Sequence, residues 1–275
     1  MSGGICRGVV VPHAPRLGLP EIVPDFGKDL VAGIEEMGAV VRADKPDVMI
    51  VNSMHYVSTF NWHASTVPVH KGRCVAMEAP DLIGGEPYEY RGDPELGIAI
   101  RDEITALDLP CVESATEHYS WDYGTWVPVH YMDPDAEIPV ITIPVVLAAD
   151  LDETYAVGQA LHRACARTGR RAVLAASTSF THKLVRGPAE WPTDERMQAD
   201  REFIALLLEG KIDAAWAGFA DYAQFVVGEM GGRGLALLLG GLAATGAKSF
   251  ETAQFGPYGQ SSGSGNANLT LNVVQ

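Results

Sequence analysis

The sequence predicts an α/β fold, a single domain over residues 1–275 with a mixed central β-sheet flanked by helices. Three observations predict it. Short continuous runs of Val, Ile, Leu and Met mark strands buried on both faces. Longer stretches with apolar residues at i, i+3 and i+4 separate them, the pattern of helices packed on a sheet. No internal repeat, and no linker long enough to divide the chain, interrupts the alternation.

Residues 5–11 read as a buried strand stopped by Pro12. Residues 29–42 form a helix with Leu30, Ile34, Met37 and Val41 on one stripe, and the turn at 44–47 leads into a second buried strand, 48–51. Residues 61–70 suit an outer strand. A helix follows to about Leu107, with Asp93 as N-cap and Pro94 at its first position. Pro139 and Pro144 interrupt a third strand, 138–146, and place it at an edge. Residues 150–168 are a helix ended by Gly169, and 172–176 a further buried strand. The charged segment 185–193 reads as mobile. Helices are expected at 194–208 and 229–243, then a glycine-serine turn and a last strand within 256–274.

Composition narrows the function. A formal net charge of −15 and the lack of any basic run exclude a phosphate-backbone binder, so no nucleic acid is expected. Cys6, Cys74, Cys111 and Cys165 have no Cys-x-x-Cys spacing and read as reduced thiols rather than a disulfide frame or a zinc site. The N-terminal residues lack a signal-peptide pattern and no apolar run reaches membrane-span length, so the expectation is a cytoplasmic protein that engages no membrane.

His13 and His55 share a placement, each just beyond a buried strand. In open α/β sheets, groups past the carboxyl ends of strands converge on the ligand crevice, and neutral imidazole is the commonest protein metal ligand. A loop histidine bonded to backbone explains either one equally well. Glu229 lies among Gly228, Gly231 and Gly232, which allow either close approach to a bound group or merely a flexible turn. Two histidines with one carboxylate suit non-haem Fe(II), but spacing alone does not join these three, and other carboxylates compete. His182 ends another strand among the hydroxyls of Ser177, Thr178, Ser179 and Thr181, and has the right type for a general acid or base. Those hydroxyls could equally well just satisfy it. His63, His70, His130 and His162 read as structural, while the roles of His118 and His63 at the site stay open.

Six motifs, in order, resemble the class III extradiol ring-cleavage dioxygenases of catalytic-subunit type. Pro12-His-Ala-Pro resembles the family's first metal-histidine loop, and Lys45-Pro-Asp-Val-Met-Ile-Val-Asn-Ser-Met-His the strand bearing the second. Asp122-Tyr-Gly-Thr-Trp-Val-Pro-Val resembles the active-site loop written in many members as Asp-His-Gly-x-Trp-Val-Pro-Leu. Leu174-Ala-Ala-Ser-Thr-Ser-Phe-Thr-His is similar to the segment with the acid/base histidine, and Gly228-Glu229 to that with the metal glutamate. Phe255-Gly-Pro-Tyr-Gly with Gly263-Ser-Gly-Asn-Ala resembles the C-terminal Gly-Thr-Gly-Asn-Ala segment.

The resemblance implies Fe(II) on His13, His55 and Glu229, with His182 moving protons and Tyr123 donating a hydrogen bond to substrate. It implies a small aromatic substrate, a catechol or a 2-aminophenol, opened with O2, in a homo-oligomer or a heteromer with a related subunit. Tyr123 stands where many members have histidine, which points to the 2-aminophenol and homoprotocatechuate branches; the C-terminal wording leans to the former. The competing expectations are a metal-binding relative without dioxygenase activity and a zinc-dependent hydrolase.

Overall fold

The apolar runs become strands and the striped segments helices in a computed structural model, which describes residues 3–116, 119–187 and 189–274. In chain order come β1 (Gly4–Val11), α1 (Asp25–Ala43), β2 (Val48–Ser58), β3 (Trp62–Ser65), β4 (Val69–Val75), β5 (Gly84–Arg91), α2 (Pro94–Thr105), β6 (Cys111–Ser114) and α3 (Tyr123–Met132). Then follow β7 (Val140–Val146), α4 (Leu151–Thr168), β8 (Arg171–Ser177), α5 (Asp194–Leu208), α6 (Ile212–Ala217), α7 (Phe219–Phe225), α8 (Arg233–Ala243), β9 (Ser249–Ser261) and β10 (Ser264–Val274). The central sheet runs β7-β2-β8-β1-β10-β9. Its first four strands are parallel, and β10 and β9 close it antiparallel, so the sheet is mixed as expected.

Period-two alternation along β8 divides the core. Ala172, Leu174 and Ala176 pack with α2, α4 and α8 on one face; Val173 and Ala175 pack with α1 and α3 on the other. Leu30, Ile34, Met37 and Val41 of α1 are all buried, each contributing roughly 1.5–3 kcal/mol. Asp93 Oδ1 caps α2 by accepting from Leu96 N, and Gly169 ends α4 in the left-handed region at φ 73°. Strand β7 is an edge strand, the place where Pro144 is tolerated.

Four expectations are corrected. The outer strand at 61–70 is two strands: Pro68 breaks the ladder, so β3 pairs with β6 and β4 with β5 in separate two-stranded sheets. The segment after Asp122 is helix α3, nearly all of it buried and with Pro128 inside it. A helix apolar all round leaves no stripe to read. Glu229 precedes α8 in a 3-10 turn instead of opening the helix. The C-terminal region is a long hairpin, β9 pairing with β10, rather than one strand. Among the described residues all four cysteines are free, and no helix is long and apolar enough to cross a membrane.

Candidate metal centre

Strands β8 and β1 end side by side where β2 leaves β8, with Ser53 opposite Ser177 and Ser177 opposite Val11. That adjacency gathers residues far apart in the chain. His13 follows β1. His55 lies on β2 beyond the point where β2 leaves β8, inside an irregularity in its pairing with β7 between Ser53 and Val57. Bulges of this kind re-aim a side chain. Asp122, the N-cap of α3, takes the Ser53 hydroxyl at 2.6 Å, and Ser53 Oγ accepts from His55 N at 3.1 Å. Gly124 explains the glycine of the Asp-x-Gly motif: a Cβ there would stand 2.4 Å from Ser53 Oγ and 3.3 Å from His55 Cδ2.

Glu229 arrives on strained backbone. Val227 and Met230 flank it at φ 54° and 47°, followed by Gly231 and Gly232 at 69° and 84°. Left-handed conformations at non-glycine residues cost about 1–3 kcal/mol each and persist where the surroundings over-determine them. Here Thr181 bridges to Gly228, and His182 N donates to Val227 O at 3.1 Å, lacing the Glu229 turn to the loop after β8.

The ligand atoms of His13, His55 and Glu229 lie within 4.8 Å of one another. Glu229 is buried, and its two oxygens have different neighbours. Oε2 accepts from Ser179 N at 2.6 Å and Thr178 Oγ1 at 3.3 Å. Oε1 faces imidazole nitrogens: His13 Nε2 at 3.2 Å, His182 Nε2 at 3.3 Å and His55 Nε2 at 3.8 Å. His182 stands outside the metal-sized triangle while touching the same oxygen. Ser177 Oγ donates to Gly124 O at 2.5 Å, so its lone pair is what meets His13 Nδ1 at 3.0 Å. His13 therefore carries a proton on Nδ1, which leaves Nε2, facing Glu229 Oε1, as the nitrogen that a metal would take. An imidazole nitrogen beside a buried carboxylate oxygen that no backbone donor satisfies is a donor set that fits a divalent cation.

The same closeness couples the charges of these groups. Burial opposes charge on His13, but the Glu229 carboxylate outweighs it by charge and hydrogen bond and raises the imidazole pKa. Burial likewise opposes the charge on Glu229, yet His13, then His182 and the Ser179 N–H, hold it well below the usual carboxylate range. Burial, and then the charge of His13, push His55 down. The His182 imidazole is lowered, chiefly by burial.

All five residues singled out in the sequence thus surround one point. Tyr123 lies over His55, with ring centroids 4.1 Å apart and its hydroxyl 2.8 Å from His55 Nε2. Two details differ from expectation. The hydroxyls near His182 serve other partners: Ser177 bonds His13 and Gly124, Thr178 bonds Glu229, and Ser179 bonds Asn266 at 3.0 Å. The Tyr123 hydroxyl donates to Glu78, a residue the sequence did not reveal because its loop carries no periodicity or motif. His63 packs near Tyr56, His130 stacks on Trp126, His162 accepts from Ile5 N, and His70 meets Val140 O. His118 lies outside the described residues.

A mixed sheet whose parallel strand ends gather two histidines and a buried glutamate defines an α/β protein with a two-histidine, one-carboxylate centre. The chain belongs to the family of the catalytic LigB subunit of aromatic ring-opening dioxygenase, which matches residues 8–263. It is similar to the 2-aminophenol 1,6-dioxygenase beta subunit of a Pseudomonas species, 30% identical over 195 residues, 66% of this chain and 64% of that one. It thus spans just under two thirds of that subunit's length. It is also similar to the 3,4-dihydroxyphenylacetate 2,3-dioxygenase of Escherichia coli, 24% identical over 251 residues, covering 86% of this chain and 90% of that one. The crystal structure of an uncharacterized protein from Escherichia coli K12 shares the fold, with a TM-score of 0.68 at 16% identity over 97% of this chain and 100% of that one.

Proposed function

We propose that residues 1–275 act as one catalytic domain of an extradiol dioxygenase, which uses Fe(II) and O2 to open the ring of a catechol or 2-aminophenol. The observation that carries this reading is the triangle of His13, His55 and Glu229 with His182 on the same carboxylate oxygen. His13 and His55 would hold the iron through nitrogen and Glu229 through Oε1, which leaves positions open as two-histidine, one-carboxylate iron sites do. Iron there would supply a place for the ortho substituents of an electron-rich ring beside O2, and a route for electrons between them.

The chain's own residues handle position and protons. His182 is partly exposed and its pKa is lowered, chiefly by burial, so it stands neutral at pH 7 as a base for a ring hydroxyl. The same imidazole can return that proton later. Tyr123 has its pKa raised, first by burial and then by Glu78, so it stays protonated and is no base. Its role is to orient the ring against His55. The Ser177–Gly124 bond fixes the His13 imidazole, and the Ser53–Asp122 bond fixes the backbone that carries His55.

The beta-subunit name of one relative supports a chain that works beside a related subunit, with a homo-oligomer as the other arrangement. Anaerobic reconstitution with Fe(II), followed by oxygen uptake and ring-opened absorbance on a panel of catechols and 2-aminophenols, tests the activity. Oxygen consumption in step with ring opening is expected. Activity with Zn(II) that is indifferent to oxygen would instead mark a hydrolase.

A further inference from the structure

Glu78 lies on the loop between β4 and β5, with a side chain 57% exposed. Its Oε1 accepts the Tyr123 hydroxyl hydrogen and stands 3.7 Å from His55 Nδ1. One wall of the site is therefore closed by a carboxylate that neither the metal triangle nor the proton transfers use. The charged groups acting most strongly on His13, His55 and Tyr123 are Glu229, Asp122, Glu78 and His13; no lysine or arginine is among them. A ring seated against Tyr123 and His55 would meet this acid, and among the described residues no lysine or arginine pairs with Glu78 to balance a second negative charge.

We propose that Glu78 determines specificity by charge, admitting ortho-substituted rings whose other substituents are neutral or cationic and disfavouring rings that carry a carboxylate. The proposal rests on the dioxygenase reading for the substrate's seat. Like charges a few ångströms apart at a half-exposed site repel appreciably, and added salt weakens the repulsion. The substrates named for the two relatives differ in this respect, since 3,4-dihydroxyphenylacetate bears a carboxylate and 2-aminophenol does not.

The test compares kcat/KM for 3,4-dihydroxyphenylacetate with that for 4-methylcatechol, in the Fe(II)-loaded wild type and in Glu78→Gln. The readout is the ratio, because weakening the Tyr123 contact lowers both values. In the wild type the ratio should favour 4-methylcatechol and should narrow as salt rises from about 0.05 to about 0.5 M, over which the Debye length falls roughly threefold. In Glu78→Gln it should shift about tenfold toward the acid and lose its salt dependence. Glu78→Asp keeps the charge and should keep the discrimination. Anaerobic calorimetry of both ligands with the metal-loaded proteins reads the same preference without turnover. If neither ring is cleaved but the binding preference shifts as stated, the dioxygenase reading fails and the charge selection stands. A ratio unchanged by Glu78→Gln, or no binding of either ring, overturns the proposal.

Discussion

At the scale of single residues, the site is organised by hydroxyls that position its histidines, through the ring of His13 and the backbone of His55. Ser177 has one proton and gives it to Gly124 O, which obliges His13 to donate from Nδ1 and present Nε2. Outer partners of this kind typically contribute ten- to a hundredfold to metal affinity. Ser177→Ala should therefore weaken Fe(II) binding by roughly that factor while the fold persists. Titration with a competing chelator measures it, and wild-type affinity would rule out the relay. His182 differs in kind, because it touches Glu229 without joining the triangle. His182→Phe should keep the metal and lower turnover by roughly two or more orders of magnitude. Stopped-flow turnover alongside metal content decides this, and wild-type turnover at full iron would remove His182 from proton transfer.

At the scale of elements, two packing devices hold the site's loops. The first is a buried carboxylate on α5. Asp200 Oδ2 accepts from Tyr258 at 2.6 Å and from Thr181 N at 3.2 Å, and Oδ1 accepts from Tyr222 at 2.8 Å, so one side chain ties the His182 loop to α7 and β9. Burial raises the Asp200 pKa despite these bonds. An acid with a folded pKa above its unfolded value binds its proton more tightly in the native state. Its contribution is full below the unfolded value, near pH 4, and declines as pH rises through the raised folded value. Asp200→Asn should cost about 1–3 kcal/mol at low pH, and the gap to wild type should shrink as pH rises through that window. Urea unfolding at several pH values checks this; a constant gap would mean the carboxyl does not titrate with folding. The second device is the close contact of α4 and α8, where a Cβ on Gly240 would stand 2.0 Å from Tyr155 O and one on Gly158 2.0 Å from Leu237 O. Neither backbone can yield without parting the helices, so Gly240→Ala should destabilise by roughly 1–3 kcal/mol although alanine is the better helix former. A melting temperature equal to or above wild type would show that the helices move apart freely.

At the scale of the whole molecule, the metal centre joins segments from both ends of the chain. His13 comes from the segment after the N-terminal strand, Glu229 from the turn before α8, and both pack over the same sheet end. Metal that binds only the folded arrangement stabilises all of it by mass action, about 2.7 kcal/mol at a hundredfold excess over Kd. Calorimetric scans should therefore show a melting temperature that rises with Fe(II) and falls with chelator, and Glu229→Ala should abolish that response. A melting temperature indifferent to metal would separate the centre from the fold.

Much of this architecture was legible locally. Residues 5–11, 48–51 and 172–176 are strands because β-branched and apolar runs suit burial on both faces, and α5 falls at 194–208 as its periodicity requires. The strand-end placement of His13 could be read in the same way, whereas His55 lies within β2, which runs on to Ser58. Other features left no local trace. Helix α3 is apolar all round, β9 is half exposed, and Glu78 lies in a loop without pattern. The sequence by itself determined which segments are strands and which faces of the helices are buried, because periodicity records burial. Only the tertiary structure decided that β2, β8 and β1 are neighbours, that Glu229 turns in over their ends, and that Glu78 reaches Tyr123. A backbone ladder pairs strands through groups that every residue carries, so the order of strands, and with it the site, is settled by packing of the whole chain.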